Sequence, residues 1–399
     1  MTDRHSYRRL SGYYFCYFAF IGIFSPYWSL YLQSLGFEPG EIAVLMSLLM
    51  GMRVFAPTLW GWAADRSGKL GRIVRLSADL SLIAYLGVFF GTSFPWLFGV
   101  MAVMSFFWSA SLPLVEAITF SVLKERTGDY GVIRAWGSIG FVLTVVGVGY
   151  FLDWAGVAAL LWLALGAKVG IVLFSRGVPE VTPTVHAADP GPVWTVLRRP
   201  EVFALFAACF LMAAAHGPYY TFYSIHLVDH GYTKSEIGWL WALGVIFEIA
   251  VFMQLPRLMR WFSIRQMLVF SFACAVVRFV VIGWAADIVW LIAAAQVLHA
   301  ATFGSYHAAA VAAVHHFFRG RHQAQGQALY TSLSFGAGGT IGSLASGYAW
   351  DAIGPAMTMS LGSVAALVGL ALILWRVRLS SQRPARAGLQ RTPDRSIVG

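Results

Sequence analysis

Pro26-Tyr27-Trp28-Ser29-Leu30-Tyr31 returns as Pro218-Tyr219-Tyr220-Thr221-Phe222-Tyr223, 192 positions further on. Two more pairs follow in the same order. Gly36-Phe37 with Glu41-Ile42 returns as Gly231-Tyr232 with Glu236-Ile237, offset by 195. Gly149-Tyr150-x-x-Asp153-x-x-Gly156 returns as Gly347-Tyr348-x-x-Asp351-x-x-Gly354, offset by 198. Each match is short, but three in register at a nearly constant offset describe a duplicated unit. The copies sit in long apolar runs. Of the 399 residues 58% are hydrophobic and 12% charged, with mean hydropathy +0.68, where soluble domains carry about 25% charged residues. That balance excludes soluble enzymes and transcription factors and predicts an all-α polytopic membrane protein.

At about 20 residues per crossing, the apolar runs divide into twelve spans. They lie near 10–33, 41–64, 72–91, 95–123, 131–152, 156–176, 201–226, 236–258, 264–284, 287–316, 324–349 and 355–378. The one long polar stretch carries Pro179, Pro183, Pro190 and Pro192 and separates two six-helix bundles, 1–177 and 201–378. Residues 178–200 form a linker, and 379–399 a basic, disordered tail. The first apolar run is too long for a cleaved signal. Arg53, Arg134, Lys168 and Arg278 fall within spans. Outside them, every Lys and Arg but Lys234 lies on the side of the termini, so the positive-inside rule makes both termini cytoplasmic. The net charge of +10 is therefore a topology signal, and no nucleic acid is expected as a partner. Cys16, Cys209 and Cys274 all lie inside apolar runs, as small core residues do.

A parallel repeat of six spans is the architecture of alternating-access carriers, with the substrate site between the halves near the midplane. The stretch Gly61-Trp-Ala-Ala-Asp65-Arg66-Ser-Gly68-Lys69 resembles the signature loop of the major facilitator superfamily. The equivalent slot in the second half, Pro256-Arg257-Leu-Met-Arg260, has decayed. The chain is similar to the phenylpropionate permease group of that superfamily, relatives of the lactose and nucleoside proton symporters. The residues that carry this are Pro26-Tyr-Trp-Ser, Pro113-Leu-Val-Glu116-Ala, Tyr130-Gly-Val-Ile-Arg134-Ala-Trp136-Gly-Ser, Glu248, Val277-Arg278 and Gln296-Val-Leu-His299-Ala-Ala-Thr-Phe303. The resemblance implies a major facilitator fold in the inner (plasma) membrane of a bacterium, working as a monomer. It also implies a small-molecule substrate such as 3-phenylpropionate, and protons as the coupled ion.

A charge in mid-span costs about 2.5–3.5 kcal/mol on insertion scales and usually faces a partner or a wet cavity. Glu116 and Arg134 stand on consecutive spans joined by a short turn, so they can hold a polar substrate between them or close a structural ion pair. The planar fork of Arg134 suits a carboxylate. Glu248 shares a helix face with Gly244 and Trp241; it is placed to carry a proton, or to pair with an arginine. Arg53 and Glu248 stand at equivalent depths in the two halves, as an interdomain contact or as a local anchor. In span 10, spacings of four and seven put His299, Phe303 and Tyr306 on one face, with His307 about 80° round. With Arg278 these resemble the proton-handling cluster of lactose-type symporters, except that span 10 lacks their carboxylate. Coupling then falls to Glu248, His299 or His307. His216 precedes a Gly217-Pro218 kink. Lys168 reads as a lysine that snorkels to the cytoplasmic end of span 6, and Asp79 reads equally plainly.

Tyr13, Tyr17, Phe20, Phe24, Tyr27 and Tyr31 form a stripe along span 1, echoed by Tyr219, Tyr220 and Tyr223. Packing and a cavity wall that stacks a ring both fit it. Tyr27, Tyr219 and Phe303 join Glu116 and Arg134 as candidate substrate contacts. The glycines Gly137, Gly140, Gly338 and Gly342 are spaced for close helix approach. No nucleotide-binding, metal-ligating or nucleophile motif is present, so no metal, cofactor or catalytic residue is expected. The sequence reads as a proton-coupled importer of an aromatic carboxylate, with a nucleoside or sugar symporter, an efflux carrier and a non-transporting receptor as alternatives.

Overall fold

The structure is a computed structural model that describes residues 4–123, 129–182 and 194–377. The tail expected at 379–399 and most of the turn between Glu116 and Arg134 lie outside the described residues. Among the described residues, nine helices are long and apolar enough to cross a membrane: Ser6–Ser34, Phe94–Leu123, Tyr130–Ala155, Val157–Ser175, Pro200–Asp229, Lys234–Trp261, Ile264–Trp284, Val289–Phe317 and Pro355–Arg376. Pro39–Val54 and Ala56–Ser67, bent by 42°, make a tenth. Leu70–Leu86, with 17 residues, and the small-residue path 323–353 complete twelve. Numbered in chain order, these are the expected spans 1 to 12.

Four spans are interrupted, each for a local reason. Span 2 tightens to a 3₁₀ turn at Met52–Val54 just ahead of Pro57. Span 7 divides at His216, where Pro218 removes an N–H from the ladder. Spans 10 and 11 widen to π turns over Ala300–Ser305 and Thr331–Gly338; such turns concentrate at functional positions.

The repeated sequence pairs turn out to be repeated geometry. Gly36 and Gly231 both turn with φ +85°, a left-handed conformation that glycine adopts without strain. The Glu41 carboxylate then accepts from the Glu38 N–H at 3.1 Å and the Glu236 carboxylate from the Thr233 N–H at 2.8 Å, so spans 2 and 8 start from the same kind of reciprocal cap. Gly149 and Gly347 lie where the halves meet. A Cβ on Gly149 would fall 2.5 Å from the Lys234 carbonyl oxygen, and one on Gly347 would collide with Ala43.

The halves therefore touch backbone to backbone, span 5 on span 8 and span 11 on span 2, at the end remote from the termini. The Tyr27 hydroxyl sits in the same seam, 2.7 Å from the Val145 carbonyl oxygen and 3.1 Å from that of Lys234. Asp153 caps span 8 by accepting from the N–H groups of Lys234 and Ser235, both at 2.9 Å. By contrast Ala56–Ser67, the terminus-side part of span 2, packs on spans 3 and 4 of its own half.

The linker begins docked. Glu180 accepts from the Gly71 N–H at 2.8 Å and from Arg75 Nη2 at 2.8 Å, capping span 3. Arg176 pairs with Asp79 at 2.7 Å. Both pairs are partly exposed, where an ion pair contributes at most about 1 kcal/mol.

The seam yields a first prediction. Gly149→Leu should prise the halves apart at the remote end. In a chain with its three cysteines replaced by alanine, a cysteine at the fully buried position 43 should then react faster with maleimide, by about tenfold. An unchanged rate would mean that the seam does not need this close approach.

Candidate functional site

The polar residues of the second half gather around Arg278, which is fully buried. Its Nε donates to the Ala295 carbonyl oxygen at 3.0 Å, Nη1 to Thr302 Oγ1 at 3.3 Å and Nη2 to Gln296 Oε1 at 3.5 Å. The guanidinium lies over the Tyr219 ring, 4.2 Å from its centre, and the Tyr219 hydroxyl donates to Gln296 at 3.0 Å. Thr302 also lies 3.4 Å from His216 Nε2. Among the described residues no carboxylate forms an ion pair with Arg278. Neutral acceptors from span 10, and a ring from span 7, satisfy it.

Glu248 and His299 stand beside this cluster, with Oε2 and Nε2 3.7 Å apart. That separation allows an ion pair if the ring is protonated but is too long for a hydrogen bond. Both sit close to glycines of the neighbouring span. A Cβ on Gly304 would lie 3.1 Å from Glu248 Cγ, and one on Gly244 3.2 Å from His299 Cδ2. Trp241, Gly244 and Glu248 all turn toward spans 7 and 10: Trp241 packs on Tyr219 with ring centres 4.8 Å apart, and Gly244 and Glu248 lie against His299 and Gly304.

The expectation for span 10 needs correcting. By straight α-helical spacing His299, Phe303 and Tyr306 share one face, with His307 about 80° round from His299. Instead, over the π turns the rings of His299, Phe303 and His307 form one column, with centres 5.4 and 6.2 Å apart and nearly parallel planes. His307 Nδ1 lies 3.1 Å from the Tyr330 hydroxyl. Tyr306, expected on that face, points instead at the Cys209 carbonyl oxygen at 3.3 Å.

In the first half, Glu116 accepts from the Tyr130 hydroxyl at 3.2 Å, and the Arg134 guanidinium sits over the Phe18 ring at 3.9 Å. The two face the same region but are not an ion pair. Tyr27 belongs to the seam and not to this group. In the signature loop, Gly68 ends the helix with φ +65°, Asp65 and Arg66 are exposed, and Gly61 lies within the helix. Lys168 does not snorkel. It is 2% exposed, with Nζ donating to Ser81 Oγ at 2.8 Å and lying 4.2 and 4.3 Å from the ring centres of Phe20 and Trp108. Gln296 and Thr302 stand in a stretch that carries the family resemblance, but the sequence assigned them no site role. The signal for them was a polar residue every third position, 296, 299 and 302, in an otherwise apolar run.

A pseudo-symmetric twelve-helix bundle with titratable and cationic groups at mid-depth is the framework of a membrane carrier. The model described as the MFS_1 like family matches residues 7–361, and the chain belongs to that family of the major facilitator superfamily. It is 30% identical over 345 residues, 86% of this chain and 90% of the relative, to a protein of Escherichia coli (strain K12) named as a probable 3-phenylpropionic acid transporter. It is 27% identical to the maltose permease of Geobacillus stearothermophilus over 94% of each chain. The fold matches a crystal structure of a mutant nucleoside transporter NupG with a TM-score of 0.82 at 17% identity, covering 93% of this chain and all of that one. The protein is thus a multi-pass membrane transporter and not an enzyme.

The hydrogen bonds of Gln296 give a second prediction. Gln296→Leu leaves the Tyr219 hydroxyl and Arg278 Nη2 each without an acceptor, at about 1–3 kcal/mol per buried donor, and should lower the melting temperature in detergent. Gln296→Glu keeps the acceptor and supplies a counter-charge, so its melting temperature should match or exceed that of the parent. Equal losses in both variants would show that the side-chain oxygen does not anchor Arg278.

Proposed function

We propose that the protein is a secondary active transporter that imports a small aromatic carboxylate, 3-phenylpropionate or a close analogue, together with protons. The observation that carries this reading is the presence of buried cations that lie on aromatic faces at mid-depth and have no protein carboxylate to pair with. An organic anion with an aromatic ring supplies both missing partners, a counter-charge and a stacking surface. The relationship to the Escherichia coli protein points to the same class of substrate.

The Glu248–His299 pair provides a site for the coupled proton. A carboxylate and an imidazole 3.7 Å apart are two proton acceptors side by side, and binding a proton to the carboxylate removes a charge that otherwise opposes movement of the site across the membrane. Glu116, Arg134 and Phe303 complete the polar and aromatic lining. With both termini in the cytoplasm, the seam around Tyr27 is the periplasmic gate and is closed in this state. The direction of transport follows the gradients, inward for protons. A sugar or nucleoside reading draws on the kinship with the maltose permease, whose substrate hydroxyls would use Glu116 and Tyr130.

The test is uptake of labelled 3-phenylpropionate into proteoliposomes. Accumulation is expected with an inward proton gradient and not without one. Glu248→Gln should abolish accumulation, at least about tenfold, while sparing exchange of labelled for unlabelled substrate, because exchange needs no net proton movement. Absence of uptake under either condition removes the aromatic-acid reading, and full accumulation by Glu248→Gln removes Glu248 as the coupling group.

A further inference from the structure

We infer that Lys168, with the indole N–H of Trp108, is the point that holds the carboxylate of the substrate; this rests on the aromatic-acid reading above and specifies its site. Two cations are buried at mid-depth, one in each half, and they differ in what their N–H groups still lack. Arg278 is committed to Ala295, Thr302, Gln296 and the Tyr219 ring. Lys168 has three N–H groups and one hydrogen-bond acceptor, Ser81 Oγ at 2.8 Å. Its other neighbours are the ring faces of Phe20 and Trp108, which attract a cation more weakly than a carboxylate does.

A second, independent observation points the same way. Trp108 is 2% exposed and its Nε1 has no hydrogen-bond partner, an uncommon state for a buried indole. An ammonium over the face of an indole and the N–H at that indole's edge, both short of acceptors, are a donor set that a carboxylate at the ring's edge can bridge. The rings around them suit the rest of the ligand. Tyr17 stacks on Trp108 with centres 4.1 Å apart, and Phe20 lies 4.7 Å from Trp108. All four helices present these residues near mid-length: Phe20 in span 1, Ser81 in span 3, Trp108 in span 4 and Lys168 in span 6. A substrate carboxylate that reaches Lys168 exchanges two cation–π contacts for charge-assisted hydrogen bonds.

The test compares binding of 3-phenylpropionate with binding of its uncharged amide to purified protein in detergent. The parent should prefer the acid. Lys168→Gln should weaken acid binding about thirtyfold and change amide binding less than about threefold, and Lys168→Arg should restore part of the preference. Trp108→Phe keeps the ring and removes only the N–H, so it tests the same donor set if Lys168→Gln fails to fold; a loss of about fivefold for the acid alone is expected. Acid and amide weakening together, or acid preference surviving in both variants, overturns the assignment. Failure of the parent to bind the acid at all overturns the substrate reading beneath it.

Discussion

A charge at the middle of a membrane helix must find its solvation inside the protein, and the packing of the second half follows from how Arg278 meets that need. Its acceptors come from span 10, at Ala295, Gln296 and Thr302, and its flat face is covered by Tyr219 of span 7. To offer those three acceptors, span 10 has to present successive turns to span 9, and its helix widens to π turns from Ala300 on. Along this stretch His299, Phe303 and His307 stack in a column at four-residue steps, and His299 lies beside Glu248. The Glu248–His299 pair thus stands beside an arginine whose solvation shapes the same stretch of span 10.

Much of this was legible in the sequence, and what was legible is what a local pattern can encode. Pairs such as Gly36 with Gly231 and Glu41 with Glu236 specify turn and cap geometry through neighbours a few residues away, so the duplication predicted matching elements and the structure has them. The face of span 8 that carries Trp241, Gly244 and Glu248 was likewise fixed by helical spacing. In span 10 the exchange of Tyr306 for His307 on the His299 face was not, because a π turn is a response to tertiary contacts and leaves no mark in the spacing itself. Lys168 shows a different limit. Distance from a span end can be counted along the chain, but the direction of a long side chain is decided by whether Ser81, Phe20 and Trp108 make room for it.

The two seams also differ in kind. Spans 5 and 8 are held by directed bonds: the Asp153 carboxylate takes two N–H groups of the first turn of span 8, and the Tyr27 hydroxyl bridges toward both spans. The Asp153 bonds and the Tyr27–Lys234 bond are satisfied only while the halves are in contact, so opening that end exposes a helix N-terminus that water must then cap.

The repeat makes the contrast informative. Asp351 stands where Asp153 stands, but the equivalent helix start carries Pro39, which has no N–H to give. The seam between spans 11 and 2 therefore rests on the close approach of Gly347 to Ala43 and Gly40, a contact of shape without a directional bond. A seam with one bonded edge and one unbonded edge favours opening by hinging about the bonded one, since sliding costs van der Waals contact while separation at Asp153 costs charge-assisted hydrogen bonds as well. On that argument spans 5 and 8 are the last contact to part when the remote end opens, and the duplicated unit, symmetric in fold, is asymmetric in the energy of its two edges at that end.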